Sequence, residues 1–179
     1  SWIVNDGSDD SSAITSTITV AAVNDAPEIS GASGTLAFTE NDGDSVIDSS
    51  LTITDDDDTN IASATISISD GYVSTEDILA FSDTSSITAA WDSDTGVLTL
   101  SGSDTLANYK AALESVTYNN TSDTPNTSNR TISWIVNDGS DDSSAITSTI
   151  TVAAVNDAPE ISGASGTLAF TENDGDSVI

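Results

Sequence analysis

The first 47 residues of this chain return, letter for letter, as its last 47. Ser1–Ile47 and Ser133–Ile179 are one string displaced by 132 positions. Such long-period identity is the signature of a tandem array. In an array each unit repeats one structural solution and stacks on its neighbours. A 132-residue period is long enough for one ordinary domain core. The window therefore holds about one complete unit and two partial ones, and the polypeptide is expected to continue in both directions.

Within that frame the charge is extreme. Thirty carboxylates face two cations, Lys110 and Arg130, for a net charge of −28. Nucleic acid and anionic membrane surfaces need basic patches, so both are excluded as partners. No signal peptide or membrane-spanning stretch is read in this window. Two uses of the acids remain open. They solvate a surface in a salty or extracellular medium, or they build hard oxygen sites for Ca²⁺, which relieves carboxylate repulsion. The chain has no Cys, Met or His. A staple must therefore be metal or packing, and the triad and thiol mechanisms of catalysis are unavailable. A carboxylate pair could hydrolyse a glycoside, but the acids fall on turns without an aromatic platform. The chain is read as not an enzyme.

Acidic, Ser/Thr-rich chains are often disordered. Here the apolar residues alternate with polar ones over four to eight residues at a time, which is the period of half-buried strands. Strands are expected at 34–39, 50–54, 61–68, 78–81, 87–91, 97–101, 115–119, 130–136 and 145–153. Asp92–Gly96 and Asn137–Gly139 supply hairpin turns. In 103–114, Leu106, Tyr109 and Leu113 recur at spacings of three and four. That predicts one short helix, capped by Ser103 or Asp104. Phe38, Phe81, Trp91, Tyr118 and Trp134 are the expected aromatic core. The fold class is all-β, a sandwich with one short helix.

Val23-Asn-Asp-Ala-Pro27 follows a long strand and recurs as Val155-Asn-Asp-Ala-Pro159. Proline removes a donor and ends pairing, so these strings mark the joints. Residues 1–26 are expected to be the last two strands of a preceding repeat. Residues 27–158 form the complete repeat, and 159–179 open the following one. The end pieces cannot bury a core alone, so they fray or are completed by a neighbouring molecule, head to tail.

Three acidic strings accompany the joints: Asn24-Asp25, Phe38-Thr-Glu-Asn-Asp42, and Thr54-Asp-Asp-Asp-Asp-Thr-Asn60. With Leu106–Tyr118 and Arg130–Gly139 they make the unit resemble cadherin repeats. More closely, it resembles the cadherin-like extender domains of giant bacterial RTX-type surface adhesins. The resemblance implies an immunoglobulin-like Greek-key sandwich, with Ca²⁺ bound between consecutive domains. It assigns Glu40 as the first-strand acid, Asn24 and Asp25 as one linker pair, and Asn156 and Asp157 as the next. Asp55 and Asp57 match the Asp-x-Asp of the downstream domain, with Asp56 and Asp58 as a second register. Asp55 and Asp57 would serve the joint near residue 25. Glu40 would serve the joint near residue 157, and Glu172 one further on. No clear counterpart of the late acidic motif is present; Glu114 and Asp138 are candidates.

Other patterns fail or stay open. An EF-hand begun at Asp56 would need Gly and Glu where Ile61 and Ser67 stand. The glycine-rich nonapeptide of calcium β-rolls is absent from this window. Asp55–Asp58 can also be a solvated turn and Asp138-Gly139 a hairpin turn. Asn119, Asn120, Asn126 and Asn129 touch or begin Asn-x-Ser/Thr strings, which a chain of this composition yields by chance. The functional expectation is an extracellular extender repeat of a bacterial cell-surface adhesin. It would stack on identical repeats, be stiffened by Ca²⁺, and project a distal adhesive domain for attachment and biofilm formation. Each unit would add roughly 40 Å of reach, from strands rising about 3.3 Å per residue. The alternatives are a carbohydrate- or partner-binding module acting by avidity, and a subunit of a surface layer or filament.

Overall fold

Eleven strands and one helix form a β-sandwich in the computed structural model, which describes residues 1–163 together with Gly166. The strands are β1 (Glu28–Ser30), β2 (Thr35–Thr39), β3 (Ser45–Val46), β4 (Thr52–Thr54), β5 (Asn60–Asp70), β6 (Asp77–Ala80), β7 (Thr88–Asp92), β8 (Val97–Thr105), β9 (Thr117–Asn120), β10 (Arg130–Asn137) and β11 (Ile146–Ala153). The helix α1 is Leu106–Leu113. One layer is a six-stranded sheet in the order β2-β11-β10-β5-β8-β7. Facing it are a three-stranded sheet, β3-β9-β6, and the β1-β4 pair. All pairings are antiparallel except β11 with β2, which is parallel.

Strict alternation explains β10. Ile132, Trp134 and Val136 point into the core, while Thr131, Ser133 and Ile135 are half-buried on the other face. The strand has a partner on each side, β5 and β11. Ile66 and Ile68 of β5 and Leu98 and Leu100 of β8 extend the same apolar surface. Phe38 of β2 meets Tyr118 of β9 edge to face at 5.0 Å, joining the two layers. Phe38, Tyr118 and Trp134 are fully buried, whereas Phe81 and Trp91 pack only partly buried at the margin. Trp91 instead stacks edge-on with Tyr72.

Three local expectations shift. Strand β8 continues to Thr105, so neither Ser103 nor Asp104 caps the helix. Thr105 does, its side chain accepting from Asn108 N at 3.2 Å. Strand β6 begins at Asp77, one residue early, because Asp77 pairs with Asn120. Strands β1 and β3 were not expected; at three and two residues they are too short to show an alternation. Strand β1 is closed onto β4 by Gly31 at φ +88°, where an added Cβ would fall 2.1 Å from the carbonyl oxygen of Ser50. Only glycine fits there.

The interior also holds three charged side chains, Arg130, Asp77 and Asp48, all satisfied. The Arg130 side chain is completely buried and bonds both oxygens of buried Asp77, at 2.8 and 3.1 Å. Asp77 further accepts from the Tyr118 hydroxyl, Asn120 Nδ2 and Val73 N. Asp48 accepts from Gly34 N, Ser50 N, the Ser50 hydroxyl and the Ser148 hydroxyl. Ser148 in turn accepts from Trp134 Nε1. Burial pushes the Asp48 carboxyl up, but the hydrogen bonds outweigh it and hold the group below its ordinary value.

The identical segments at the two ends differ in burial. Trp134, Ile150 and Val152 are 0 %, 0 % and 7 % exposed, whereas their copies Trp2, Ile18 and Val20 are 66 %, 87 % and 90 % exposed. Across residues 1–26 only isolated bridges form, Trp2 with Ile14 and Asn5 with Asp10. The segment after Pro159 falls mostly outside the described residues, as does Glu172.

Removing Arg130 leaves Asp77 buried and underpaired. Arg130→Ala should therefore destabilise the domain by about 3–5 kcal/mol in denaturant unfolding. A loss below about 1 kcal/mol would contradict this account. The depressed Asp48 contributes stability above the ordinary carboxylate range, about pH 4. That contribution disappears as pH falls through its folded value. Asp48→Asn should lower stability at neutral pH and flatten the acid limb of the stability–pH curve; an acid limb as steep as the parent's would contradict it.

Candidate functional site

The strand directions divide the domain into two poles. Strand β10 ends at Asn137, paired with Ser63 near the start of β5. The Asp55–Asp58 loop, just before β5, therefore shares a pole with the loop after β10. Strands β2 and β11 run in parallel the other way and end together at Thr39 and Ala153. Glu40 lies at that second pole.

At the first pole the linker is docked on both acidic loops. Asn24 Nδ2 donates to Asp138 Oδ2 at 2.9 Å and to Asp141 Oδ2 at 3.0 Å. The Asp25 backbone N–H points at both oxygens of Asp57, at 3.3 Å each. Asp25, Ala26, Glu28, Thr54, Asp55 and Asp56 line an open cleft beside these contacts. The Asp55–Asp58 loop is a local turn built by its first residue. Asp55 Oδ1 accepts from Asp57 N at 3.1 Å and Asp58 N at 2.8 Å. The other oxygen, Oδ2, is buried without a hydrogen-bond partner. One oxygen from each of Asp55, Asp57 and Asp58 can be chosen so that all lie within 4.8 Å of one another. Partial desolvation raises the Asp57 carboxyl above its ordinary value, and the Asp55 and Asp25 carboxylates add to the shift. Clustered acids without a cation behave this way.

At the second pole Glu40 is 4 % exposed. Its backbone N–H donates to Ala153 O at 2.8 Å, and its Oε2 accepts from Val155 N at 2.8 Å. The other oxygen, Oε1, is buried and has no hydrogen-bond partner. A tight turn holds the side chain there. Asp42 N donates to Thr39 O, Asp42 Oδ2 accepts from Thr39 N, and Asn41 takes a left-handed φ of 72°. Asparagine tolerates that conformation better than most residues. Glu40 thus seats the outgoing linker as Asp57 seats the incoming one.

The structure brings Asn24, Asp25, Asp55 and Asp57 to one pole, and Glu40 with the start of the Asn156–Asp157 linker to the other. Asn156 Nδ2 donates to Asp157 O at 3.0 Å, matching the Asn24 bond to Asp25 O at 3.3 Å. Asp56 lines the cleft and Asp58 belongs to the acid cluster, so both registers of the Asp run contribute. Glu114 is instead paired with Lys110 at 2.6 Å on the helix.

Asp141 was missed from sequence, and Asp138 was read chiefly as a turn residue. It is one, since Asp138 Oδ1 accepts from Ser140 N and Asp141 N. Its other oxygen, Oδ2, accepts from the linker's Asn24 as well. Backbone N–H donors from Asp141 and Ser140, with the Asn24 amide, hold this carboxyl below its ordinary value. A sequence signal existed in the spaced acids of Asn137-Asp-Gly-Ser-Asp-Asp142, but nothing in the string indicates which oxygens point at the linker.

The arrangement fits a hard cation. Such ions take oxygen ligands, several of them carboxylates. Asp55 Oδ2 and Glu40 Oε1 are each a buried, unspent carboxylate oxygen at a joint.

No family model matches the chain. The chain is 36 % identical over 135 residues to Halomucin of Haloquadratum walsbyi. That match covers 70 % of this chain but 2 % of Halomucin, so the chain spans a small fraction of a protein thousands of residues long. No solved structure matches. Among the described residues no helix is long and apolar enough to cross a membrane.

Asn24→Ala should release the linker. Hydrogen exchange at the Asp25 amide should quicken while global stability changes by no more than about 0.5 kcal/mol, as for other surface substitutions. Unchanged exchange would mean that the side chain does not hold the joint.

Proposed function

We propose that this chain is a structural repeat of a very large cell-surface protein, whose successive domains are locked end to end by Ca²⁺ at acidic joints. The observation that carries the reading is the pair of unspent buried carboxylate oxygens, Asp55 Oδ2 and Glu40 Oε1, one at each pole. Each lies where a linker docks. Leaving a buried charged acceptor unpaired is costly, and a cation at the joint removes the cost. In an array the Glu40 pole of one unit meets the Asp55–Asp58 pole of the next, across an Asn-Asp linker. The ion would then draw on Glu40, the linker (Asn156 and Asp157, or Asn24 and Asp25) and Asp55 and Asp57. Asp138 and Asp141 lie beside them. The name Halomucin fits a mucin-like, salt-exposed surface protein, and exact repetition suits reach rather than chemistry. Projection of a distal adhesive domain, and with it attachment and biofilm formation, is the use such reach would serve.

The direct test is thermal and denaturant unfolding of a protein carrying two complete repeats, with Ca²⁺ and with chelator. A ligand bound only by the native state adds about 2.7 kcal/mol at a hundredfold excess over its Kd. Ca²⁺ should also lengthen the two-repeat particle in small-angle scattering by stiffening its joint. Asp55→Asn and Glu40→Gln should remove most of both effects, and Asp94→Asn, on an exposed hairpin, should leave them. Equal stability and equal length in Ca²⁺ and chelator would defeat the metal while leaving the stacking repeat in place.

A further inference from the structure

Every Asn-x-Ser/Thr string in the chain begins within eleven residues, at Asn119, Asn120, Asn126 and Asn129. Nearly a third of the chain is Ser or Thr, so four such strings among twelve asparagines is what composition alone yields. Their places in the fold separate them.

Asn120 is buried, and its Nδ2 donates to Asp77 Oδ1 at 2.9 Å inside the Arg130 cluster. Asn119 is half-buried in β9, with Nδ2 held by Asp44 at 2.9 Å. Asn129 is exposed, but its hydroxyl partner Thr131 is locked into β10, paired with both β5 and β11. Asn126 differs from all three. It lies on the connection between β9 and β10, and Asn126, Thr127 and Ser128 are all exposed. The buried Pro125 and a bond from Asn126 N to Glu76 Oε2 at 2.9 Å fix the backbone beneath it. Asn126 Oδ1 accepts from Ser128 N at 2.8 Å, which folds the hydroxyl residue back toward the amide. Asn126 Nδ2 makes no hydrogen bond among the described residues.

We propose that Asn126 is an acceptor for an N-linked glycan. The donor is a sugar activated as a lipid-borne glycosyl phosphate. The Asn126 amide nitrogen forms a bond to the anomeric carbon, and the carbon–oxygen bond to phosphate breaks. The phosphate leaves with the bonding pair, and the amide proton passes to a base of the transferring enzyme. Nothing is oxidised or reduced. An N-x-Ser/Thr string needs an exposed loop to be used, and only this one is exposed over all three residues. Since 119–129 lies outside the 47-residue echo, the acceptor occurs once per 132-residue unit. An array would carry a glycan at the same place on every unit. The proposal rests on the export that the proposed function assumes.

Lys110 and Arg130 are the tryptic sites of this sequence, so one peptide, 111–130, contains all four candidate asparagines. The full protein is recovered from outside its own cells, denatured and digested, and that peptide is analysed by mass spectrometry. It should carry a glycan mass that fragmentation places on Asn126. Asn126→Gln and Ser128→Ala should each return the bare peptide, and Asn129→Gln should not. A bare 111–130 peptide from extracellular protein would overturn the glycan and leave the surface reading intact, as would a sugar on any other residue of that peptide. Protein found only inside the cell would overturn both.

Discussion

Everything in this domain depends on one strand, β10, being enclosed between β5 and β11. Its inward residues Ile132, Trp134 and Val136 are fully buried. At about 25 cal/mol per Å² of apolar surface, a tryptophan and its neighbours are a major share of what holds two layers together. The chain supplies its own control. The same residues at Trp2 and Val4 are 66 % and 74 % exposed, because among the described residues no strand lies beside them as β5 lies beside β10. Composition and alternation are identical in the two copies, so the sheet neighbours make the difference.

The remaining constraint is charge. A chain with thirty acids and two bases must put carboxylates somewhere other than a hydrophobic interior. Most sit on turns. Four with buried oxygens fall into two groups. Asp48 and Asp77 are buried but saturated with donors, and the only arginine is committed to Asp77. Asp55 and Glu40 each keep one buried oxygen in reserve, and both are at joints. The first group ties layers together. The second is what separates an acidic joint from an acidic surface.

Much of the fold was legible because half-buried strands announce themselves by period two. The long strands β5, β8, β10 and β11 lie close to where alternation placed them. Strands β1 and β3 left no readable period in three and two residues, and exist because β4 and β9 offer edges. The helix cap moved to Thr105 because β8 stays paired with β5 up to Asn60. At the joints, residue types pointed to Asp25, Glu40 and Asp57. The parts played by Asp141 and by the backbone N–H of Val155 depend on loop orientation, which residue spacing does not carry. The saturated Asp48 was equally invisible, since its four hydrogen bonds come from three residues, and Gly34 and Ser148 are distant from it in sequence.

The two copies of Asn-Asp-Gly-Ser-Asp-Asp draw the line between local and tertiary information. Gly7 N donates to Asn5 Oδ1 at 2.7 Å, and Gly139 N to Asn137 Oδ1 at 2.7 Å. Asn5 reaches Asp10 at 2.7 Å, and Asn137 reaches Asp142 at 2.8 Å. The turn is the same whether or not its strands are buried, because every bond in it spans only a few residues. That much is written in the string itself. Whether the adjoining tryptophan is in the core, and whether the turn's second Asp meets a linker asparagine, is not. Those outcomes need β5, β11 and Asn24, contributed from tens of residues away, and only the assembled sandwich brings them together.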